Sequence, residues 1–160
     1  MCVRKLESFL MVTYDAQIKN CKISKNVRIV KPVNLYGCTI GPNTKIGPFV
    51  EIQSGAIIGS NCNIQSHSFI CTHVIIGHHC FIGHGVMFTN DTFKIGKPDP
   101  DPAHWKETII ASNVTIGSGV TLLPVYICPD VVIGAGSVVT KDITKPGIYL
   151  GNPAKFYRDI

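Results

Sequence analysis

The chain has 160 residues, of which 45% are hydrophobic, 8% aromatic and only 16% charged, with 15 Lys and Arg against 10 Asp and Glu. That length bounds it to about one domain, and so much apolar content with so little charge excludes a disordered chain or a coiled coil. The net charge of +5 suits a small phosphate-bearing ligand better than a long nucleic acid, and the sparse charge points to a surface partly covered by another subunit.

Residues 1–20 carry no periodic pattern and are expected to cap an open edge. Their sequence, MCVRKLESFLMVTYD onward, lacks the apolar core and cleavage site of a signal peptide. No run in the chain reaches the ~18 apolar residues of a membrane span. Lys19, Lys22, Lys25, Arg28 and Lys31 follow one another with no acid between them, as on a solvated face. The seven cysteines, at 2, 21, 38, 62, 71, 80 and 128, form neither an even-numbered disulfide framework nor a CxxC zinc pair. That fits a reducing, cytoplasmic setting.

A six-residue period then takes over. Ile40, Ile46, Ile52, Ile58, Ile64, Ile70, Ile76, Ile82 and Phe88 are evenly spaced. Ile23, Ile29 and Leu35 precede them with one five-residue step, and Ile110, Ile116, Leu122, Ile127, Ile133 and Val139 resume the series with another. Four residues after each large aliphatic comes a small or β-branched one: Thr44, Val50, Ala56, Cys62, Ser68, Val74, Cys80, Val86. A period of six matches neither helix nor plain strand alternation. It predicts short strands joined by turns, with both columns pointing inward and Gly supplying the turns. Residues 89–109 interrupt the array with three prolines and the single Trp, and are expected to form an extruded loop of functional interest. The tail, 151–160, leaves the period.

This spacing resembles the hexapeptide-repeat family over about residues 20–150. The resemblance implies an all-β, left-handed parallel β-helix of triangular section for residues 21–150, eighteen residues to the coil. Residues eighteen apart then stack at about the 4.8 Å of neighbouring strands. His67, His73 and His79, spaced by six, therefore fall on three different corners, and a metal could join them only across subunits. One corner stacks His73 under Asp91 and Thr72 under Asn90, where the loop begins; a carboxylate there could hold an imidazole or an ammonium group, or could simply start the loop turn. His84 lies one corner earlier and would reach that cleft only across a subunit boundary. His78 and His104 read as surface residues. Cys62 and Cys80 stack as packing thiols. Gly119 and Gly136 share a corner with Ser118 and Ala135 beside them, a column bare enough for a thin ligand but equally explained by turns.

The runs CFIGHGVMFTND, SNVTIGSGVTLLP, GAGSVVTKDI and YLGNPAK are similar to those of hexapeptide acyltransferases, and most of all to the N-acetyltransferases of nucleotide-linked amino sugars in surface-polysaccharide synthesis. The resemblance implies an enzyme, a homotrimer with sites between subunits, acetyl-CoA as donor and a dTDP- or UDP-amino sugar as acceptor, with no nucleic acid, membrane or metal. It implies that Asn90 contacts the sugar amine, aided by Asp91, His73 and Thr72. It also implies that the pantetheine arm passes Ser118, Gly119, Ala135 and Gly136 and that phosphates meet Lys141, Lys155 and Arg158. A general base, first His84 and then His73, adds to positioning and oxyanion stabilisation. Two other functions compete: a zinc enzyme of the γ-carbonic-anhydrase type using His67, His79 and His84, and a subunit that only assembles.

Overall fold

The structure, a computed structural model, describes residues 17–160. Most of the segment expected to cap the first coil lies outside the described residues. Within them, Ile18–Lys19 already pairs in parallel with Asn34–Tyr36, so stacking begins before residue 21.

Two-residue strands alternate with turns, because each hexapeptide offers the core only one large side chain before the backbone must change direction. The strands stack into three parallel sheets of seven, six and eight strands, the three faces of a left-handed parallel β-helix. The first face runs from Ile18–Lys19 through Glu51–Ile52, Phe69–Ile70 and Met87–Phe88 to Val138–Val139. The second runs from Lys22–Ile23 through Val74–Ile76 and Thr108–Ile110 to Tyr126–Ile127. The third runs from Arg28–Ile29 through Phe81–Ile82 and Val131–Ile133 to Gly147–Leu150, which the antiparallel strand Lys155–Arg158 closes as a hairpin.

Both expected columns are buried: the aliphatics from Leu35 to Phe88 and the small residues from Thr44 to Val86. Thr44 and Ser68 remain inside because their hydroxyls donate to the carbonyls of Gly59 and Gly83, each at 2.9 Å. Ile23 departs from the expectation. It is 40% exposed, since among the described residues no coil stacks beneath it.

The stacking step follows the sequence. It is seventeen residues where a five-residue step occurs, as in Ile23↔Ile40 and Ile116↔Ile133, and eighteen elsewhere, as in Ile46↔Ile64. Across the loop it jumps to 34, with Ile82 opposite Ile116. The loop is narrower than residues 89–109. Thr89 N–H already donates to Leu122 C=O, Lys106 N–H closes the base on Asn90 C=O, both at 2.9 Å, and Thr108–Ile110 is a strand of the second face.

The corners explain the histidine spacing. His67, His73 and His79 have φ of 63°, 66° and 57°, as do Asn43, Asn61 and Asn113 at nearby values. Left-handed turn positions favour Gly, Asn, Asp and His, so the interval of six is set by the backbone.

Gly59 serves a different need. An added Cβ would lie 2.3 Å from the Gly77 carbonyl oxygen, so side-chain bulk would wedge two coils apart. Gly59→Ala is expected to cost about 1–3 kcal/mol, measured by urea unfolding. A change below ~0.5 kcal/mol would show that the coils part freely.

Candidate functional site

Two corners flank the first face, and the residues singled out from sequence divide between them. At one, Asn90 follows Met87–Phe88 and its Nδ2 donates to Thr72 C=O at 3.4 Å. The stacking of Thr72 under Asn90 is therefore real, and the Asn90 carboxamide oxygen has no protein partner among the described residues. Beneath, Gln53 Oε1 accepts from Thr72 N–H at 3.3 Å, and Gln53 Nε2 donates to Glu51 at 3.2 Å. Sequence reading missed Gln53, although stepping back eighteen residues from Cys71 arrives at it.

Asp91 is occupied otherwise than by His73. Its two carboxylate oxygens accept from Phe93 N–H at 2.8 Å and Asp99 N–H at 2.7 Å, folding the loop back on its own origin. His73 contributes its carbonyl to Thr108 N–H at 3.0 Å. Asp91 thus fills the role of a loop-turn residue, one of the two roles open from the sequence.

Asp99 carries the turn onward. Its carboxyl is held below the usual value by the Asp101 amide first and by His104 second, the latter at 2.9 Å. Because the folded value is depressed, this contribution is present above the unfolded pKa, ~3.9 for Asp, and is lost as pH falls through the lower folded value. Trp105 Nε1 donates to Asp99 C=O at 3.0 Å, which places the indole over the corner. The loop and corner border an open hollow of about 360 Å³ with Phe69, Phe93, Trp105, Gln53, Cys71 and Asn90 in its lining, apolar walls with a few amide groups. Burial pushes the Cys71 thiol up to about 11, so it is not a nucleophile near neutral pH.

At the other corner, His84 donates its N–H to Ser118 Oγ at 3.3 Å and accepts at its carbonyl from Gly119 N–H at 2.8 Å. Gly136 N–H continues upward to Ser118 C=O at 2.9 Å. His84, Ser118, Gly119, Ala135 and Gly136 therefore form one edge. At Gly119 and Gly136, with φ of 69° and 70°, an added Cβ would meet nothing within 4 Å, and the same holds for Gly85 in the coil beneath. The column is an open groove as well as a run of turns. Its lower end is filled by His67, whose ring stacks on Phe49 at 4.8 Å.

The sequence places His84 one corner before Asn90 and does not bring it to the glycine column, because the step across the loop is 34 residues. The signal existed: Ile-Gly-X-Gly recurs at 82–85, 116–119 and 133–136.

The basic residues separate too. Lys155 and Arg158 lie on the closing hairpin, which reaches the glycine edge through Ala154 N–H to Val138 C=O at 2.8 Å. Lys141 follows Val138–Val139 and so stands at the Asn90 end of the first face, away from the glycine column within one chain. His67 and His84 share a corner while His79 is on the next, so one chain does not assemble the three imidazoles of the zinc alternative. Cys62 and Cys80 are buried; the hydrogen bond to Cys62 and then burial push the Cys80 thiol up. Among the described residues, no helix is long and apolar enough to cross a membrane.

The coil, its two inward columns and its left-handed corners define a parallel β-helix built from six-residue repeats. The sequence agrees: residues 37–72 match the family "Bacterial transferase hexapeptide (six repeats)" and 107–141 match "Hexapeptide repeat of succinyl-transferase". Among solved structures the chain is similar to a variant of AntD, an N-acyltransferase from Bacillus cereus in complex with dTDP and coenzyme A. The TM-score is 0.68 at 22% identity, covering 88% of this chain and 81% of that one. It is also similar to PerB from Caulobacter crescentus in complex with coenzyme A and GDP-perosamine, with a TM-score of 0.55 at 20% identity over 89% and 58%. At these identities the likeness is one of fold. In sequence, 52 residues are 52% identical to a Staphylococcus aureus (strain COL) protein named as an acetyltransferase, covering 32% of this chain and 26% of the relative. A Schizosaccharomyces pombe protein named likewise is 54% identical over 52 residues, covering 32% and 25%. The chain thus spans about a quarter of the length of these relatives.

Proposed function

We propose that the protein is an acetyl-CoA-dependent N-acetyltransferase acting on the amine of a nucleotide-linked amino sugar, dTDP- or UDP-linked. The observation that carries this reading is the open glycine groove with His84 on its edge. A thioester arm is thin, linear and rich in amides, and suits a column where side chains are absent and backbone groups are within reach. Lys155 at the top of that edge, with Arg158 further along the same hairpin, supplies charge for phosphates.

The acceptor takes the loop hollow. An amine donates hydrogen bonds, and the unpartnered Asn90 oxygen accepts one; the aromatic walls of Phe69, Phe93 and Trp105 suit the apolar face of a sugar. Asp91 and His73 act there by shaping the loop, with Thr72 holding Asn90. His84 and Asn90 stand at opposite edges of one face, so they serve a single reaction when neighbouring chains of a homotrimer meet edge to edge. Lys141 then faces the donor groove of the adjacent subunit. Such an enzyme works in the cytoplasm, where coenzyme A and nucleotide sugars are found.

The chemistry is modest. The thioester is already activated, so the site must desolvate and orient a neutral amine, polarise the carbonyl with backbone N–H groups and take one proton.

Acetyl transfer is tested with acetyl-CoA against a panel of UDP-, dTDP- and GDP-amino sugars, following release of free thiol. Turnover with at least one amino sugar and none with its deaminated counterpart is expected; absence of turnover across the panel would remove the acceptor assignment. Gly119→Asn keeps a residue that tolerates positive φ but fills the groove. It is expected to weaken coenzyme A binding by about tenfold, ~1.4 kcal/mol. Unchanged affinity by calorimetry would move the donor elsewhere.

A further inference from the structure

Two serine–histidine–serine columns climb two edges of the helix six residues out of phase: Ser60, His78, Ser112 and Ser66, His84, Ser118. In both, the lower hydroxyl meets the histidine Nδ1 at 2.9 Å. In both, the histidine N–H donates to the upper hydroxyl, at 3.0 Å on Ser112 and 3.3 Å on Ser118.

The columns differ at one atom. The backbone N–H of Ser60 also donates to His78 Nδ1, at 3.0 Å; among the described residues no amide reaches His84 Nδ1. A backbone N–H cannot reverse its role. At His78, Nδ1 must present a lone pair, and the proton of the neutral ring sits on Nε2. A hydroxyl both donates and accepts. Ser66 can therefore accept from Nδ1–H and leave Nε2 unprotonated.

We propose that Ser66 is a positioning residue that holds His84 in the Nδ1–H tautomer, which makes His84, and not the otherwise matching His78, the imidazole able to take a proton. The proposal rests on the acetyl-transfer reading above. In that step the amine nitrogen attacks the thioester carbonyl and the N–C bond forms. The amine N–H breaks as its proton passes to His84 Nε2. The C–S bond then breaks, and the departing thiolate takes the same proton. Nδ1 keeps its hydrogen on Ser66 Oγ throughout. His78 offers no lone pair at Nε2 for the first transfer.

Long-range proton–nitrogen spectra of protein labelled with 15N-histidine, in mildly alkaline buffer, read both tautomers without substrate. The parent protein is expected to show Nδ1–H at His84 and Nε2–H at His78. Ser66→Ala is expected to move His84 to Nε2–H and to lower kcat about tenfold or more with KM within twofold, and Ser66→Thr, which restores a hydroxyl, to recover both. Ser60→Ala keeps its amide and is expected to leave the His78 tautomer and kcat unchanged. A parent His84 already protonated at Nε2, a tautomer unmoved in Ser66→Ala, or kcat within twofold of the parent overturns the proposal. A protein with the expected tautomers that transfers no acetyl group refutes the acetyl-transfer reading alone.

Discussion

Replacing His84 with alanine is expected to lower kcat/KM for acetyl transfer by about 10²–10⁴-fold, the usual contribution of a positioned general base. The loss falls on kcat, because the imidazole is asked to act when the amine sheds its proton, after both substrates have bound. Coenzyme A affinity should change little. The groove beside His84 is built of backbone and glycine, and the His84 carbonyl that receives Gly119 N–H survives the substitution. Stopped-flow or steady-state assays with calorimetric Kd values separate the two effects. A variant within tenfold of the parent would sink the base assignment and leave orientation at Asn90 and the thiolate itself to manage the proton. Loss of coenzyme A binding with kcat intact would instead make His84 part of the donor groove.

Phe88→Ala is expected to destabilise the fold by about 3–5 kcal/mol, the range for deleting a buried aromatic. Phe88 is 1% exposed. It stands where the neighbouring coils of the same face carry Ile70 and Leu122, which pair in the strands on either side of it. A cavity here is hard to close, since the stacked coils are tied to one another by backbone hydrogen bonds above and below. The site should suffer as well: Thr89 and Asn90 leave directly from this strand, so a collapsed core would tilt the Asn90 corner and the base of the loop. Equilibrium unfolding in urea measures the first effect and acceptor KM the second. Phe88→Ile returns the repeat's usual residue and is expected to recover most of the stability. Should Phe88→Ala cost less than ~1 kcal/mol, the coil must repack more freely than stacked strands allow.

The two substitutions probe parts of the molecule that differed in how legible they were. The inward columns could be read directly from sequence, because a coil of two-residue strands repeats one burial pattern and each side chain answers only to its own hexapeptide. Even the seventeen-residue steps were visible as five-residue intervals. The Asn90–Thr72 stack was legible for the same reason, since no insertion separates the two. Gln53 was not singled out: a single Gln at a turn has no pattern to mark it until its amide meets Thr72. Asp91 was ambiguous, because Asp serves loop turns and charged sites alike, and only its contacts with the amides of Phe93 and Asp99 separate the two roles.

Sequence by itself determined the coil, the register within uninterrupted repeats, the buried columns and the shared corner of Gly119 and Gly136. These are local properties, fixed by spacing and by the conformational freedom of particular residues. Tertiary structure alone decided what lies beside what across the loop. An extruded segment adds length without adding a coil, so the recurring Ile-Gly-X-Gly hints at the match of His84 with Ser118 and Gly119, and the hydrogen-bond ladder fixes it at a step of 34 residues. The difference between His78 and His84 is of the same kind. Both sit between serines at identical spacing, and a single backbone N–H, aimed at one ring nitrogen and not at the other, separates a ring whose Nδ1 must accept from one whose Nδ1 can also donate.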